Sequence, residues 1–262
     1  MIHPTAIINP KAELDPSVEI APNVVIGADV KIGANTIIGA NVVIDGSIEI
    51  GCNNQIFPGA ALGLPPQDLK YKGGKSRVKI GNGNTIREYV TINRATEEGE
   101  ETIVGNDNLL MAYVHVAHNC VLGDRIVIAN SVALAGHVEV ESKAVIGGML
   151  GIHQFVKVGK MAMLGGMSRI DRDVPPYMLV EGNPSHVRSL NLVALKRNNF
   201  DSEQIAIMKK AYKILYKSGL TISRALKELE PLCENEHIKH LSQFMESSMN
   251  NKNRRGLING NQ

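Results

Sequence analysis

Aliphatic residues recur along this chain at every sixth position. From Ile8 the series runs through Leu14, Ile20, Ile26, Ile32, Ile38, Ile44, Ile50, Ile56 and Leu62, with no polar member. Two residues before each lies a second series, mostly small or β-branched: Ala6, Ala12, Val18, Val24, Val30, Thr36, Val42, Ile48, Asn54 and Ala60. The register lapses at 64–77, resumes at Ile80, Ile86 and Ile92, lapses again at 93–101, and then runs unbroken from Val104 to Ile170. An amphipathic helix needs apolar residues three and four apart, and a half-buried strand needs strict alternation, so a sustained period of six fits neither. It fits short strands joined by turns and wound as a solenoid. Insertions into such a repeat project from its side and commonly serve binding.

The hexads resemble the left-handed parallel β-helix of the hexapeptide-repeat acyltransferases, in which three hexads make one triangular coil. By that rule the 25 hexads predict about eight coils, stacked at roughly 4.8 Å. After Asp173-Val174-Pro175-Pro176-Tyr177 the period vanishes and the punctuation becomes helical. Asp201 with Gln204 three residues later predicts a capping box, followed by an apolar face of Ile205, Met208, Tyr212, Leu215 and Tyr216 that ends at Gly219. Further helices are predicted over 221–229 and 236–248. The expected organisation is an all-β left-handed parallel β-helix over 1–186, carrying two inserted loops at about 64–77 and 93–101, and an α-helical C-terminal domain over 187–262.

Composition sharpens this picture. With 44% hydrophobic residues, no Trp and only 4% aromatic residues, the interior must be aliphatic. No apolar run approaches the roughly 18 residues of a membrane span, and the opening Met1-Ile2-His3-Pro4 lacks a secretory signal. Cys52, Cys120 and Cys233 form no CxxC pair, and their odd number fits a reducing, cytoplasmic setting. Charge is unevenly shared: 15 Lys and Arg against 19 Asp and Glu through residue 187, then 13 against 7, giving net −4 and +6. The positive half, with Lys209, Lys210, Lys213 and Lys217 close together, would attract an acidic partner.

Polar residues that break an aliphatic repeat are its informative positions, and four histidines do so: His115, His118, His137 and His153. With 18 residues per coil, His137 lies one coil plus one residue beyond His118, and His153 two coils less one. They share one edge, with His118 and His137 roughly 5–6 Å apart by strand spacing. Imidazole suits proton abstraction because its ordinary pKa lies near 6.5.

Ordered motifs then extend the resemblance to the whole chain. Pro66-Gln67-Asp68-Leu69-Lys70-Tyr71, Ile86-Arg87-Glu88, His115-Val116-Ala117-His118-Asn119-Cys120, Leu134-Ala135-Gly136-His137, His153-Gln154-Phe155, Glu181-Gly182-Asn183, Asn191 to Arg197 and Arg255-Gly256 are similar to the UDP-N-acetylglucosamine O-acyltransferase family of lipid A biosynthesis. The resemblance implies transfer of an (R)-3-hydroxyacyl chain from acyl carrier protein to the 3-position of UDP-N-acetylglucosamine by a homotrimer. No cofactor, resident metal, nucleic-acid partner or transmembrane segment is expected. Within it His118 matches the general base and Gly136 the residue whose backbone N–H receives the oxyanion. Asp68 and Lys70 match sugar and acyl-chain contacts. His115, His137, His153, Gln154, Asn191 and Arg197 match residues that hold the nucleotide sugar, and Gly166 matches a stop that sets acyl length.

Three positions depart from the family's pattern. Asn119 follows the matched base where an Asp is common, Asn198 stands for a second arginine, and Val193 for a glutamate. Two other readings use the same residues differently. Histidines on neighbouring coils would bind zinc in a solenoid resembling the gamma carbonic anhydrases. A non-catalytic solenoid would serve as a spacer, and would need neither the histidine cluster nor the basic tail.

Overall fold

The computed structural model describes residues 1–251 and 255–260. Its strands are mostly two residues long and fall into three sheets of nine, eight and ten strands, and as far as Arg169–Ile170 each strand pairs in parallel with the third one along the chain. That order is a triangular solenoid, and its hand is the left-handed one of the hexapeptide repeat. Ile7 pairs with Val25 and Val25 with Val43, a rise of one coil every 18 residues. The predicted aliphatic series fills the prism. Ile26, Ile38, Ile50, Ile86, Leu110, Leu122, Ile128 and Leu164 are all buried, as is the second series at Val24, Val42, Val90, Val114 and Val132.

Both insertions leave this stacking intact, and a buried polar ladder shows how. Thr36, Asn54, Asn84 and Asn108 occupy successive inward positions of the second series. Asn54 Oδ1 accepts from the Asn84 backbone N–H at 2.9 Å across 30 residues, and Asn84 Oδ1 accepts from Asn108 N–H at 2.9 Å across 24. Asn108 Oδ1 then accepts from Ile126 N–H at 2.7 Å across the ordinary 18. A buried amide left unpaired costs about 1–3 kcal/mol, so this satisfied column holds the register across both interruptions. The insertions also lock each other. Arg94 donates to the Tyr71 hydroxyl and to Gly63 O at 3.0 Å, Asn93 Nδ2 donates to Pro65 O at 2.9 Å, and the Ser76 hydroxyl donates to Ala95 O.

At the C-terminal end, Met178–Gly182 pairs in parallel with Met163–Leu164 and then antiparallel with Ser185–Leu190. The division expected after residue 186 falls inside this last strand, so the final sheet reaches Leu190. Four helices follow: α1 (Leu192–Arg197), α2 (Ser202–Lys217), α3 (Ile222–Leu229) and α4 (Glu236–Asn250). The capping box at Asp201 and Gln204 is present, and α3 and α4 lie where helices were expected. α1 and the antiparallel hairpin were not anticipated. Asp173, buried at the end of the last coil, ties the helices down: its carboxylate accepts from Ser248 Oγ of α4 at 2.6 Å and from Lys157 N–H at 2.7 Å. His240 of α4 adds an ion pair to Glu141 at 2.8 Å.

Candidate active site

Two prism corners border the sheet that carries His115, and the histidines gather at one of them. His115 sits on the strand His115–Val116, with Nδ1 2.7 Å from Thr91 Oγ1 on the coil below. Burial holds its imidazole below the ordinary value, and the neighbouring His118 adds to this. His118 follows in the corner turn. His137, one coil on, presents its ring edge-on to His118 at 5.3 Å and 87°, and stacks on Phe155 at 4.7 Å. Its pKa is also held down, first by burial and then by His118, while Glu100 and Asp68 pull the other way.

His118 has its tautomer fixed by its neighbours. Nδ1 lies 2.9 Å from Asn119 Oδ1, and that oxygen also accepts the Thr96 backbone N–H at 3.2 Å. An amide oxygen can only accept, so Nδ1 carries a hydrogen, and in the neutral ring the lone pair is on Nε2. The ring is largely buried, its side chain 14% exposed, and Nε2 looks toward Asp68 Oδ2 at 3.7 Å. Gly136 stands directly over it. A Cβ built there would lie 2.3 Å from His118 Cε1 and 2.6 Å from Nε2, so only glycine lets the backbone come this close to the ring. Gly136 N–H donates to no protein acceptor among the described residues. An imidazole nitrogen and an unengaged backbone N–H on neighbouring coils are elements that acyl transfer can use.

A cleft of about 530 Å³ opens here, lined by His115, His118, Gly136, His153, Gln67 and Arg169, with the small Ala133 and Gly151 as its floor. His153 and Gln154 are exposed at its rim, with His153 Nδ1 3.1 Å from Gln154 O. Lys70 is exposed on the first insertion, where its backbone N–H donates to Asp68 Oδ1 at 2.9 Å. Asn191 and Arg197 are not in this group. They line a separate cleft of about 510 Å³ together with Arg125, Lys143 and Asn198. Asn191 is buried and structurally engaged: Oδ1 caps α1 through Ala194 N–H at 3.1 Å, and Nδ2 donates to Met161 O at 2.9 Å. Asn198 Nδ2 donates to Ala194 O at 2.9 Å.

Gly166 occupies the other corner, stacked over Gly148, whose carbonyl oxygen a Cβ at 166 would meet at 3.2 Å. Beside it runs an exposed apolar ridge. Tyr89 and Tyr113 stack at 5.3 Å, and Met149 and Met167 are 68% and 75% exposed. Burial pushes the Cys120 thiol up to about 12, which keeps it neutral, and the three cysteines are unpaired.

The sequence missed several members of this neighbourhood. Thr96 and Glu100 come from the second insertion, where no period announces them; Thr91 lies one coil below His115. Arg125 and Lys143 hold left-handed corner positions with φ 55° and 66°, and their place at the turn position of the hexad, where the first coils carry Asn35 and Asn53, is the signal in the sequence that singles them out.

Comparison with known proteins covers both parts of the chain. A family model described as Udp N-acetylglucosamine O-acyltransferase; Domain 2 matches residues 173–258, and the bacterial transferase hexapeptide repeat matches 11–46 and 101–136. An acyl-[acyl-carrier-protein]–UDP-N-acetylglucosamine O-acyltransferase of Synechocystis is 56% identical over 82% of this chain and 78% of its own length. The enzyme of that name from Gloeothece citriformis is 60% identical over the same shares. Among solved structures, the UDP-N-acetylglucosamine acyltransferase of Campylobacter jejuni superposes with a TM-score of 0.92 at 38% identity over 100% of both chains. That of Arabidopsis superposes with 0.86 at 35% over 98% of this chain and 100% of its own. With solenoid, insertions and helical tail all matched at these identities, the chain belongs to the UDP-N-acetylglucosamine O-acyltransferase family.

Proposed function

We propose that this protein transfers an (R)-3-hydroxyacyl chain from acyl carrier protein to the 3-hydroxyl of UDP-N-acetylglucosamine, the first step of lipid A biosynthesis, in the cytoplasm. The observation that carries the mechanism is the pairing of the His118 Nε2 lone pair with the Gly136 backbone, so close that a Cβ would overlap the ring. Nε2 takes the proton of the sugar hydroxyl as its oxygen attacks the thioester carbonyl. The electron pair moves to the carbonyl oxygen, where Gly136 N–H receives it. Collapse re-forms the carbonyl and breaks the C–S bond, and the imidazolium returns its proton to the departing sulfur. His115, His137, His153 and Gln154 orient the sugar around this centre, with Asp68 and Lys70 closing over it from the first insertion. Unpaired cysteines fit the reducing setting; among the described residues no helix is long and apolar enough to cross a membrane.

A homotrimer completes the site. Asn191 and Arg197 line a different cleft from the histidines, and a neighbouring copy would bring its second cleft to the first, with Arg197, Arg125 and Lys143 then facing the diphosphate. The ridge of Tyr89, Tyr113, Met149 and Met167 suits burial between copies. Gly166 on that ridge leaves the acyl groove open, giving a preference for chains of about 12–14 carbons. Since each buried CH₂ contributes about 0.8 kcal/mol, Gly166→Met would shift the preference toward about 10 carbons, with selectivity changed roughly 100-fold. The exposed lysines of α2, Lys209, Lys210 and Lys213, face the acidic carrier.

The zinc reading has no donor set to use: among the described residues no three His, Cys, Asp or Glu side chains are grouped to hold a metal ion. The deciding experiment is His118→Ala. Turnover should fall by about 10²–10⁴, with UDP-N-acetylglucosamine binding by calorimetry little changed. Near-normal turnover would remove the general-base assignment.

A further inference from the structure

On its Nδ1 side, His118 reaches a carboxylate only through an intervening side chain. Asn119 Oδ1 receives the Thr96 backbone N–H at 3.2 Å, the Thr96 hydroxyl at 3.1 Å and the His118 ring N–H at 2.9 Å. Because a backbone N–H can only donate, the amide cannot be turned round, and its nitrogen must face the other way. There it donates to Glu100 Oε2 at 2.6 Å. The backbone is held as well, Asn119 N–H donating to Thr102 Oγ1 at 2.8 Å. His118, Asn119 and Glu100 therefore form one directed chain of hydrogen bonds ending on a full negative charge.

We propose that Glu100 is a positioning residue of the transfer reaction, whose carboxylate acts through the Asn119 amide to hold the His118 tautomer and stabilise the imidazolium formed during proton abstraction. This rests on the reading of His118 as general base. An amide that accepts at oxygen becomes a better donor at nitrogen, so the two bonds strengthen together as the ring becomes charged. No proton leaves Nδ1; the amide only relays polarisation.

The ionisable groups facing His118 divide by side. Asp68, from the first insertion, lies 3.7 Å from Nε2, on the side where the sugar hydroxyl must enter. His137 faces it from the next coil at 5.3 Å, and His115 from its own strand. Glu100 lies behind the ring, where its charge can act without occupying the substrate's place. Its field reaches the site, since it raises the pKa of His137. The bland alternative is that Glu100 merely fastens the second insertion.

The test is the pH dependence of kcat/KM in Glu100→Gln, in Asn119→Asp, and in the double variant, with His118→Ala alongside. Glu100 is exposed, and the isosteric amide leaves the fold intact, which a thermal melt checks. Glu100→Gln should lower kcat/KM about threefold to tenfold and move the acid limb to lower pH by roughly half a unit, with KM for the sugar nucleotide nearly unchanged. Adding Asn119→Asp puts a carboxylate directly on Nδ1 and should return the limb to its original position or above. An NMR titration of the His118 ring should give the same shifts without turnover. An unshifted limb and ring titration in Glu100→Gln would overturn the proposal, as would failure of Asn119→Asp to restore them. Near-normal turnover in His118→Ala would remove the general-base reading along with it, whereas an inactive His118→Ala beside an unshifted Glu100→Gln removes this inference alone.

Discussion

The first coils and the histidine-bearing coils build their left-handed corners from different residues. Through residue 53 the left-handed corner positions are Asn23, Asn35, Asn41 and Asn53, with φ of 57–60°. From residue 89 onward the same backbone is adopted by Tyr89, Tyr113, His137, Met149, Phe155 and Met167, with φ of 57–65°. Asparagine tolerates this region, whereas a bulky L-residue there costs roughly 1–2 kcal/mol. The later coils accept that cost at every position where a ring or thioether has a use. His137 and Phe155 build the wall beside His118; the tyrosines and methionines form the exposed ridge. At these six positions the larger side chains stand at the histidine corner or on the exposed ridge.

Four experiments would break or sharpen this contrast. The largest effect is expected at Gly136, where the added Cβ of Gly136→Ala displaces the imidazole. A misplacement of about 1 Å at a reacting group costs on the order of 10²-fold in turnover, and an alanine enzyme of normal activity would show that the close approach is incidental. Next is Met149→Asp on the ridge. A buried unpaired charge opposes association by several kcal/mol, so sedimentation should report monomers and activity should drop at least about tenfold as the proposed shared site comes apart.

A smaller effect separates the two kinds of corner. Asn41→Phe should destabilise by about 1 kcal/mol and leave turnover alone, while Phe155→Asn should relieve a similar strain, forfeit the stacking on His137, and lower turnover with little net change in stability. Thermal melts and kinetics on both variants would show whether strain and function are traded at one corner only. The smallest effect is a pH dependence of stability in the histidine coils and in α4, where burial holds His237 down as well. His115 and His137 are held below their ordinary values in the folded state, so the unfolded chain binds protons first. Stability should be full above about pH 6.5 and decline as pH falls below it. Hydrogen exchange should place that loss in the histidine coils and around α4, and spare the first coils.

Much of this was legible in the sequence because a solenoid repeats its instructions. Each hexad states inward, outward and turn positions again, and the capping box at Asp201 is a local signal needing no tertiary context. Proximity along the histidine edge followed from counting coils. What stayed hidden came from places without period. Glu100 sits 19 residues before its partner Asn119, in an insertion whose path depends on Arg94, Asn93 and Ser76 reaching across to the other insertion. The substitution of Asn for Asp at 119 was visible, but not the carboxylate behind it. α1 is only six residues long, too short for a helical period, although Asn191 ahead of an apolar run is a cap signal that went unread. The engagement of the Asn191 side chain, its oxygen capping α1 and one amide hydrogen given to Met161 O, depends on tertiary packing that the sequence does not announce.

The closed upper end of the prism bears on how such a chain avoids becoming a fibre. A stack of parallel coils is a template, because its last rung offers the same open edge to any strand that its own previous rung did. Here the Met178–Gly182 and Ser185–Leu190 hairpin turns the final sheet antiparallel, and the Asp173 carboxylate fastens a helix beside it through Ser248. In that sheet the next rung that could be added in register therefore has no matching edge to copy. The helical tail acts as a terminator of growth, and the length of the prism is set by the chain itself instead of by its concentration.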